Sequence, residues 1–424
     1  MTKNELILRV PLFVTLVGMF SPLLASISGY EKLDKMLSES ILLIVYSVLL
    51  LKRKGRIKFS YLQISMYMPL FFVYLYYILQ GLVFGLYGLF SVILTVHIYV
   101  DIFIKYGLGR VEEIRKGVGV IILINLVFIF IENILNLSGL SNFLVDILNG
   151  RYRLDLYAPL SYLNLVDFKA ANSLMLRPQG ASMILGLAII WYLDPFRVNL
   201  NKEYRYLLYF SLLLFSIQFT TTSMIMVFSM IFFSIFLLPY NKLRMGLSKG
   251  LIFVISLLFS PIVYKIIFFK FDGFIIDQSY LNVFNNTLNA IYSLDIEALI
   301  FGIGGFSEGS QTTLKDDIKT GDLGLLMILI MGGSIIFIVL LISLFWYFHK
   351  GISIVNKRWS GYGKYVVLLL ATLLVLIFGS IISLIHYTNI LMPAGRQIFA
   401  FLVAGSIYCM YLLKIQHGRF TTLE

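Results

Sequence analysis

Long apolar runs separated by short polar clusters recur along the whole chain, and their spacing sets the expected elements. A bilayer core takes about 20 residues of helix, and runs able to supply that fall at 8–29, 36–51, 61–81, 86–104, 117–137, 178–195, 206–220, 223–240, 250–269, 323–347, 365–388 and 396–413. The pattern predicts an all-α polytopic membrane protein of about 12 transmembrane helices, residues 1–424 forming a single transmembrane domain. The run at 36–51 is short for a span, and the stretch 206–240 can be cut in more than one place. Two loops exceed what a turn needs, 138–177 and 270–322, and long loops in a compact architecture usually carry function. In the first, Leu140, Phe143, Leu144, Ile147 and Leu148 recur at helical spacing before Gly150, as in a short interfacial helix. In the second, Tyr280, Phe284, Leu288 and Ile291 share one helical face ahead of the glycine-bearing IFGIGGF.

Composition agrees with that pattern: 59% of the 424 residues are hydrophobic and 13% charged, outside the range of soluble domains. The first apolar run exceeds signal-peptide length and is expected to be a span rather than a cleaved leader. A single cysteine, Cys409, leaves no disulfide framework and no cysteine-based metal site. The net charge of +12 is distributed unevenly. Lysines and arginines gather in alternate connections, at 52–58, 105–116, 197–205, 242–249 and 350–364, and near both ends of the sequence. By the positive-inside rule these connections and both termini are cytoplasmic, in a multi-pass protein whose elaborate loops lie on the outer side. The positive charge is thus a topology signal and not a nucleic-acid footprint.

Candidate chemistry lies on the expected outer side. Arg177 precedes Pro178, so a cation stands where a helix begins. Unpaired backbone N–H groups, the positive end of the helix dipole and a guanidinium fork together suit a diphosphate. An arginine snorkelling to lipid headgroups is the competing reading, and the small residues Gly180, Ala181, Ser182 and Gly186 weigh against it by allowing close helix approach. Arg151 and Arg153 alternate on an extended stretch and can grip phosphate or a sugar carboxylate, with Tyr152 and Tyr157 available to stack on sugar rings; a loop resting on lipid phosphates explains them equally well. Asp322, in TGDLG, stands at a helix start, where capping alone accounts for an acid, but at the membrane surface it is also a candidate general base. Glu132 is an acid inside an apolar run and so a functional candidate. His386 and Arg396 flank the last outer turn and either close the same mouth or form a structural pair. His97, Asp101 and Lys105, four residues apart, are expected to form a ladder on one helix face. The long outer loops contain no histidine, which excludes a histidine-based metal site there.

These stretches carry a likeness. The chain resembles the Wzy-type polymerases of O-antigen and capsule repeat units, members of the superfamily that includes the O-antigen ligases. RPQG leads into the sixth span, TTTS precedes the eighth, and FGIGGF followed by TGDLGLLMILIMGG enters the tenth, in a layout of about twelve spans with long loops before the sixth and tenth. The resemblance implies metal-independent glycosyl transfer at the outer membrane face on undecaprenyl-diphosphate-linked oligosaccharides, with no cofactor. Membrane lipids and a chain-length regulator protein are further partners it brings. It matches Arg177 to the family's arginine before the sixth span and puts Asp322 where polymerases have an acid and ligases a histidine. The second long loop departs from the family pattern in having lysines, Lys270, Lys315 and Lys319, and no arginine. The missing histidine favours polymerase over ligase.

In the implied mechanism Arg177 holds the donor diphosphate while Asp322 or Glu132 serves the acceptor hydroxyl as base or orienter, with Arg151, Arg153, Tyr152, Tyr157, Gly180, Arg396 and His386 lining the substrate site. A lipid-linked oligosaccharide flippase is the main alternative from another class, and it requires charged residues spread through several spans. A membrane scaffold without chemistry is a third reading.

Overall fold

The computed structural model describes residues 3–30, 32–53, 87–107, 110–138, 140, 171–174, 178–196, 198, 203–217, 221–237, 289, 291–292, 294–302, 324–358, 363–385 and 393–420. Among them the regular elements are all helical: α1 Lys3–Leu8, α2 Val10–Ser28, α3 Lys32–Arg53, α4 Tyr87–Tyr106, α5 Val111–Leu137, α6 Pro178–Leu193, α7 Glu203–Ile217, α8 Thr221–Leu237, α9 Ile296–Phe301, α10 Gly324–Arg358, α11 Lys364–Ile382 with a 3-10 turn at Ser383–Ile385, and α12 Pro393–Phe420. Six described stretches are long and apolar enough to cross a bilayer: Glu5–Ser28, Gly88–Tyr106, Val111–Asn136, Ile328–Lys357, Lys364–Ile382 and Ala394–Lys414. Shorter apolar helices run over Leu37–Leu49, Gly180–Leu193, Tyr204–Ile217 and Met226–Leu237. The chain is therefore an α-helical membrane protein. Every expected span coincides with a described helix except 61–81 and 250–269, which lie outside the described residues.

Local sequence accounts for the helix limits. Pro11 sits in the first turn of α2, where its missing N–H costs nothing, and Gly29 ends that helix at φ 70°, which glycine adopts without a Cβ penalty. The run at 36–51 extends to the 22 residues of α3, because helical hydrogen bonding continues through the flanking polar positions. The cut left open in 206–240 falls between Ile217 and Thr221. Toward its C-terminus α10 outruns its apolar window to Arg358, and α11 gives way to the 3-10 turn before residue 386.

Packing follows the distribution of small and branched residues. Every residue of α6 from Gly180 to Tyr192 is buried, so this helix is enclosed on all sides. Gly186 faces α8: a Cβ there would stand 3.5 Å from Met226 Cε and Met230 Cε, in ordinary van der Waals contact. α11 and α12 share the interior. Gly379 of α11 leaves no room for a Cβ beside Met230, which would lie 2.2 Å away, and Gly117 of α5 receives the Phe401 ring of α12, with Cζ at 2.6 Å from such a Cβ. At the periphery, Val120, Leu123, Val127, Phe130, Ile131 and Ile134 of α5 form an exposed apolar stripe at helical spacing, and Ile338, Leu341, Ile342, Phe345 and Trp346 of α10 form another. These are the faces a lipid bilayer covers.

Contacts between helix ends define two ends of the bundle. Arg110 donates to Glu5 at 2.9 Å, Tyr365 Oη to Glu112 Oε2 at 2.6 Å and Arg115 Nη1 to Tyr204 Oη at 3.3 Å. Tyr408 Oη donates to the Gly107 carbonyl. The starts of α1, α5, α7 and α11 and the end of α4 thus meet at one end, together with Arg115, Lys116 and Lys364; we call it the basic end. The expected ladder lies on the way there, with Lys105 Nζ 2.7 Å from an Asp101 oxygen and Tyr46 Oη donating to Asp101 Oδ2 at 3.3 Å. The far end gathers the end of α2 and the starts of α3, α4, α6 and α12.

Candidate functional site

Charge is buried at the far end. In the second turn of α3 Glu39 is 7% exposed, and in the first turn of α12 Arg396 is 3% exposed; Arg396 Nη2 stands 2.7 Å from Glu39 Oε1. The same carboxylate accepts from Ser91 Oγ of α4 at 2.6 Å, from Ser38 Oγ at 2.8 Å and from Gln397 Nε2 at 3.3 Å. Gln397 Nε2 also donates to Ser38 Oγ at 3.2 Å, while its Oε1 accepts from Tyr99 Oη at 3.1 Å. Tyr99 Oη lies 3.2 Å from Thr15 Oγ1 of α2. One hydrogen-bonded network therefore ties α2, α3, α4 and α12 together inside the bundle. Gln397 reaches it because Gly18 of α2 has no side chain: a Cβ there would be 2.4 Å from Gln397 Cγ. Opposite charges at hydrogen-bond distance offset much of each other's desolvation, and the surrounding hydroxyl and amide groups complete the coordination of the carboxylate.

The second buried acid is built differently. Glu132 of α5 is 1% exposed, and its Oε2 accepts from the backbone N–H groups of Asn172 at 2.8 Å and Ser173 at 2.9 Å. Ser173 has φ 59°, a left-handed conformation that is uncommon for a residue other than glycine. Asn172 and Ser173 are themselves buried. Two convergent backbone N–H groups on one carboxylate oxygen make a fixed anchor for the turn at 171–174, which in sequence closes the first long loop and leads to α6. Asn133 and Asn136 of α5 add buried amides to the same helix end.

Measured against expectation, Glu132 occupies a buried polar site and is engaged by the backbone N–H groups of Asn172 and Ser173. Gly180 is buried in the first turn of α6. Arg396 faces the bundle interior, and its acidic partner is Glu39. Arg177, Arg151, Tyr152, Arg153, Tyr157, Asp322 and His386 lie outside the described residues. Sequence reasoning missed Glu39, Gln397 and Tyr99. For Glu39 the signal was present, an acid inside the apolar run SESILLIVYS, which is the same rule that singled out Glu132. Among the described residues no group of three or more His, Cys, Asp or Glu side chains could hold a metal ion.

Comparison of the chain with protein-family models, with curated proteins and with solved structures found no match. Fold and site together define the class: an α-helical polytopic membrane protein that gathers its buried carboxyl and guanidinium side chains, among the described residues, at one end of the bundle.

Proposed function

We propose that the protein polymerises undecaprenyl-diphosphate-linked oligosaccharide repeat units at the outer face of the cytoplasmic membrane by metal-independent glycosyl transfer. The observation that supports this most is the buried carboxylate of Glu132 on the Asn172 and Ser173 N–H groups, which fixes at the far end the turn that in sequence leads to Arg177 and α6. Taking the basic end as cytoplasmic by the positive-inside rule, the far end meets the periplasm, where lipid-linked units are presented. A lipid diphosphate is already an activated leaving group, so the protein has to supply mainly positioning and electrostatic stabilisation.

In the proposed reaction a terminal sugar hydroxyl of one lipid-linked unit attacks the anomeric carbon of another. The new glycosidic C–O bond forms as the bond from the anomeric carbon to the diphosphate oxygen breaks. The electron pair stays on undecaprenyl diphosphate, facing Arg177 and the N–H groups at the start of α6, and the hydroxyl proton passes to Asp322. Arg396 is neutralised by Glu39 and therefore holds helices rather than substrate. Glu132 anchors the turn ahead of Arg177, which favours Asp322 as the base. A flippase would need charge distributed along a path through the bilayer, and the described buried ionised groups do not form one.

The lipid-linked glycans that accumulate in a deletion strain test this reading. Single repeat units facing the periplasm are the expected result. Single units facing the cytoplasm would instead identify a flippase, and finished but unattached polymer a ligase.

A further inference from the structure

Two glycines thirty-one residues apart, Gly302 and Gly333, meet backbone to backbone. α9 is closed at its start by Asp295, whose side chain accepts from the Ala298 N–H at 2.6 Å, and at its end by Gly302, whose N–H donates to the Ala298 carbonyl at 2.7 Å. Gly302 has φ 83°. Across from it Gly333, at φ 69° and ψ 175°, interrupts α10 and divides it into an outer piece, 324–332, and a membrane piece, 334–358. A Cβ on Gly302 would fall 2.0 Å from the Met331 carbonyl oxygen and 2.6 Å from Gly333 N, while one on Gly333 would fall 2.2 Å from the Ile300 carbonyl oxygen and 2.5 Å from Gly302 N. The obstructing atoms are main chain on both sides, so no side-chain rearrangement makes room. Positive φ at both residues is a second, independent demand for glycine.

Breaks in membrane helices are tolerated where neighbouring protein covers the freed backbone groups. Here the end of α9 covers the break, and Ile330, Met331 and Ile336 around it are buried. The direction in which residues 324–332 leave the membrane piece is therefore set by contact with a loop helix and not by continuation of α10. We propose that the Gly302–Gly333 junction is a positioning device for the glycosyl transfer: it fixes the direction of the outer piece of α10, the helix that the segment bearing Asp322 enters two residues later in sequence. Gly302 and Gly333 act through Asp322 and are positioning residues. This proposal rests on the polymerase reading, and its test separates the two.

Gly302→Ala and Gly333→Ala are compared with Gly29→Ala, which imposes the same left-handed strain at φ 70° but where a Cβ meets nothing within 4 Å. Hydrogen exchange of the purified full chain should show faster exchange in both 296–302 and 324–332 for the two junction variants and in neither for Gly29→Ala. Unchanged exchange over 324–332 overturns the positioning claim whatever the protein's activity. Turnover is then measured on the undecaprenyl-diphosphate-linked unit extracted from the deletion strain. The junction variants should lose kcat by as much as about 10²-fold, the scale of a displacement of about 1 Å at a reacting group, with donor KM unchanged. Wild-type kcat in both overturns the junction alone, whereas failure of wild-type protein to extend the extract overturns the polymerase reading beneath it. If the alanine variants are not recovered folded, Asp295→Ala loosens α9 without a clash. A lower kcat at unchanged KM then supports the junction, and wild-type kcat with faster exchange over 296–302 overturns it.

Discussion

The two ends of the bundle handle charge in opposite ways. At the basic end ion pairs are wet: Arg110 and Glu5 are 45% and 29% exposed, and Lys105 and Asp101 are 35% and 23% exposed. At the far end Arg396 and Glu39 are 3% and 8% exposed as side chains, and Glu132 is equally enclosed. Exposed pairs gain little because water and salt screen them, so the basic end can set topology with almost any arrangement of cations. Buried charges tolerate few arrangements, since each must be neutralised and hydrogen-bonded where it stands. The same residue types thus tolerate many arrangements at one end and require a unique geometry at the other.

Breaking the dry pair should have the largest effect. Glu39→Ala leaves Arg396 charged and uncompensated in the interior and should cost about 3–5 kcal/mol, read by thermal unfolding in detergent. Replacing both partners, as in Glu39→Met with Arg396→Met, should recover much of that loss, because the double variant buries no charge. Recovery of nothing would mean that the network's hydroxyl and amide bonds outweigh the ion pair. Glu132→Ala strands two buried backbone N–H groups and should cost about 1–3 kcal/mol for each that stays unsatisfied. Glu132→Gln keeps an acceptor oxygen, so near-normal stability together with normal polymer would assign Glu132 to anchoring the 171–174 turn, whereas loss of polymer in a stable Glu132→Gln would return it to the chemistry.

Smaller effects sharpen the contrast. Gly18→Ala forces Gln397 out of its network position and should destabilise by about 1–3 kcal/mol, the usual range for overpacking. Arg110→Ala, which removes the wet pair with Glu5, should change stability by about 1 kcal/mol or less, and by less still at high salt. A loss there as large as that for Glu39→Ala would erase the distinction between the ends.

The fold was legible wherever apolar runs alone decide structure. α4, α6 and α8 fall within three residues of the limits that their apolar runs set, because a helix inside an apolar run satisfies its backbone residue by residue. Helix breaks were less legible. Gly333 lies in an uninterrupted apolar run, and only its contact with Gly302, thirty-one residues earlier in the chain, gives the break a cause. α9 escaped notice for a related reason: six residues are too few for periodicity to register, although Asp295 and Glu297 carry a helix-start signature. At the site, rarity of charge in apolar surroundings identified Glu132 and would have identified Glu39. Partner choice was not readable, since Arg396 pairs with Glu39, a residue more than 350 positions away in sequence. Asn172 and Ser173 contribute main-chain N–H groups, which every sequence offers and none advertises.

The central claim is that the far end works on a lipid-linked diphosphate and the basic end does not. It is tested most directly by glycan laddering at matched protein level in cells carrying Arg177→Ala, Arg177→Lys or conservative lysine-to-arginine changes across residues 52–58. The account predicts no long polymer from Arg177→Ala, partial polymer from Arg177→Lys, which keeps the charge but loses the bidentate fork, and a wild-type ladder from the changes across 52–58. A wild-type ladder from Arg177→Ala would contradict it.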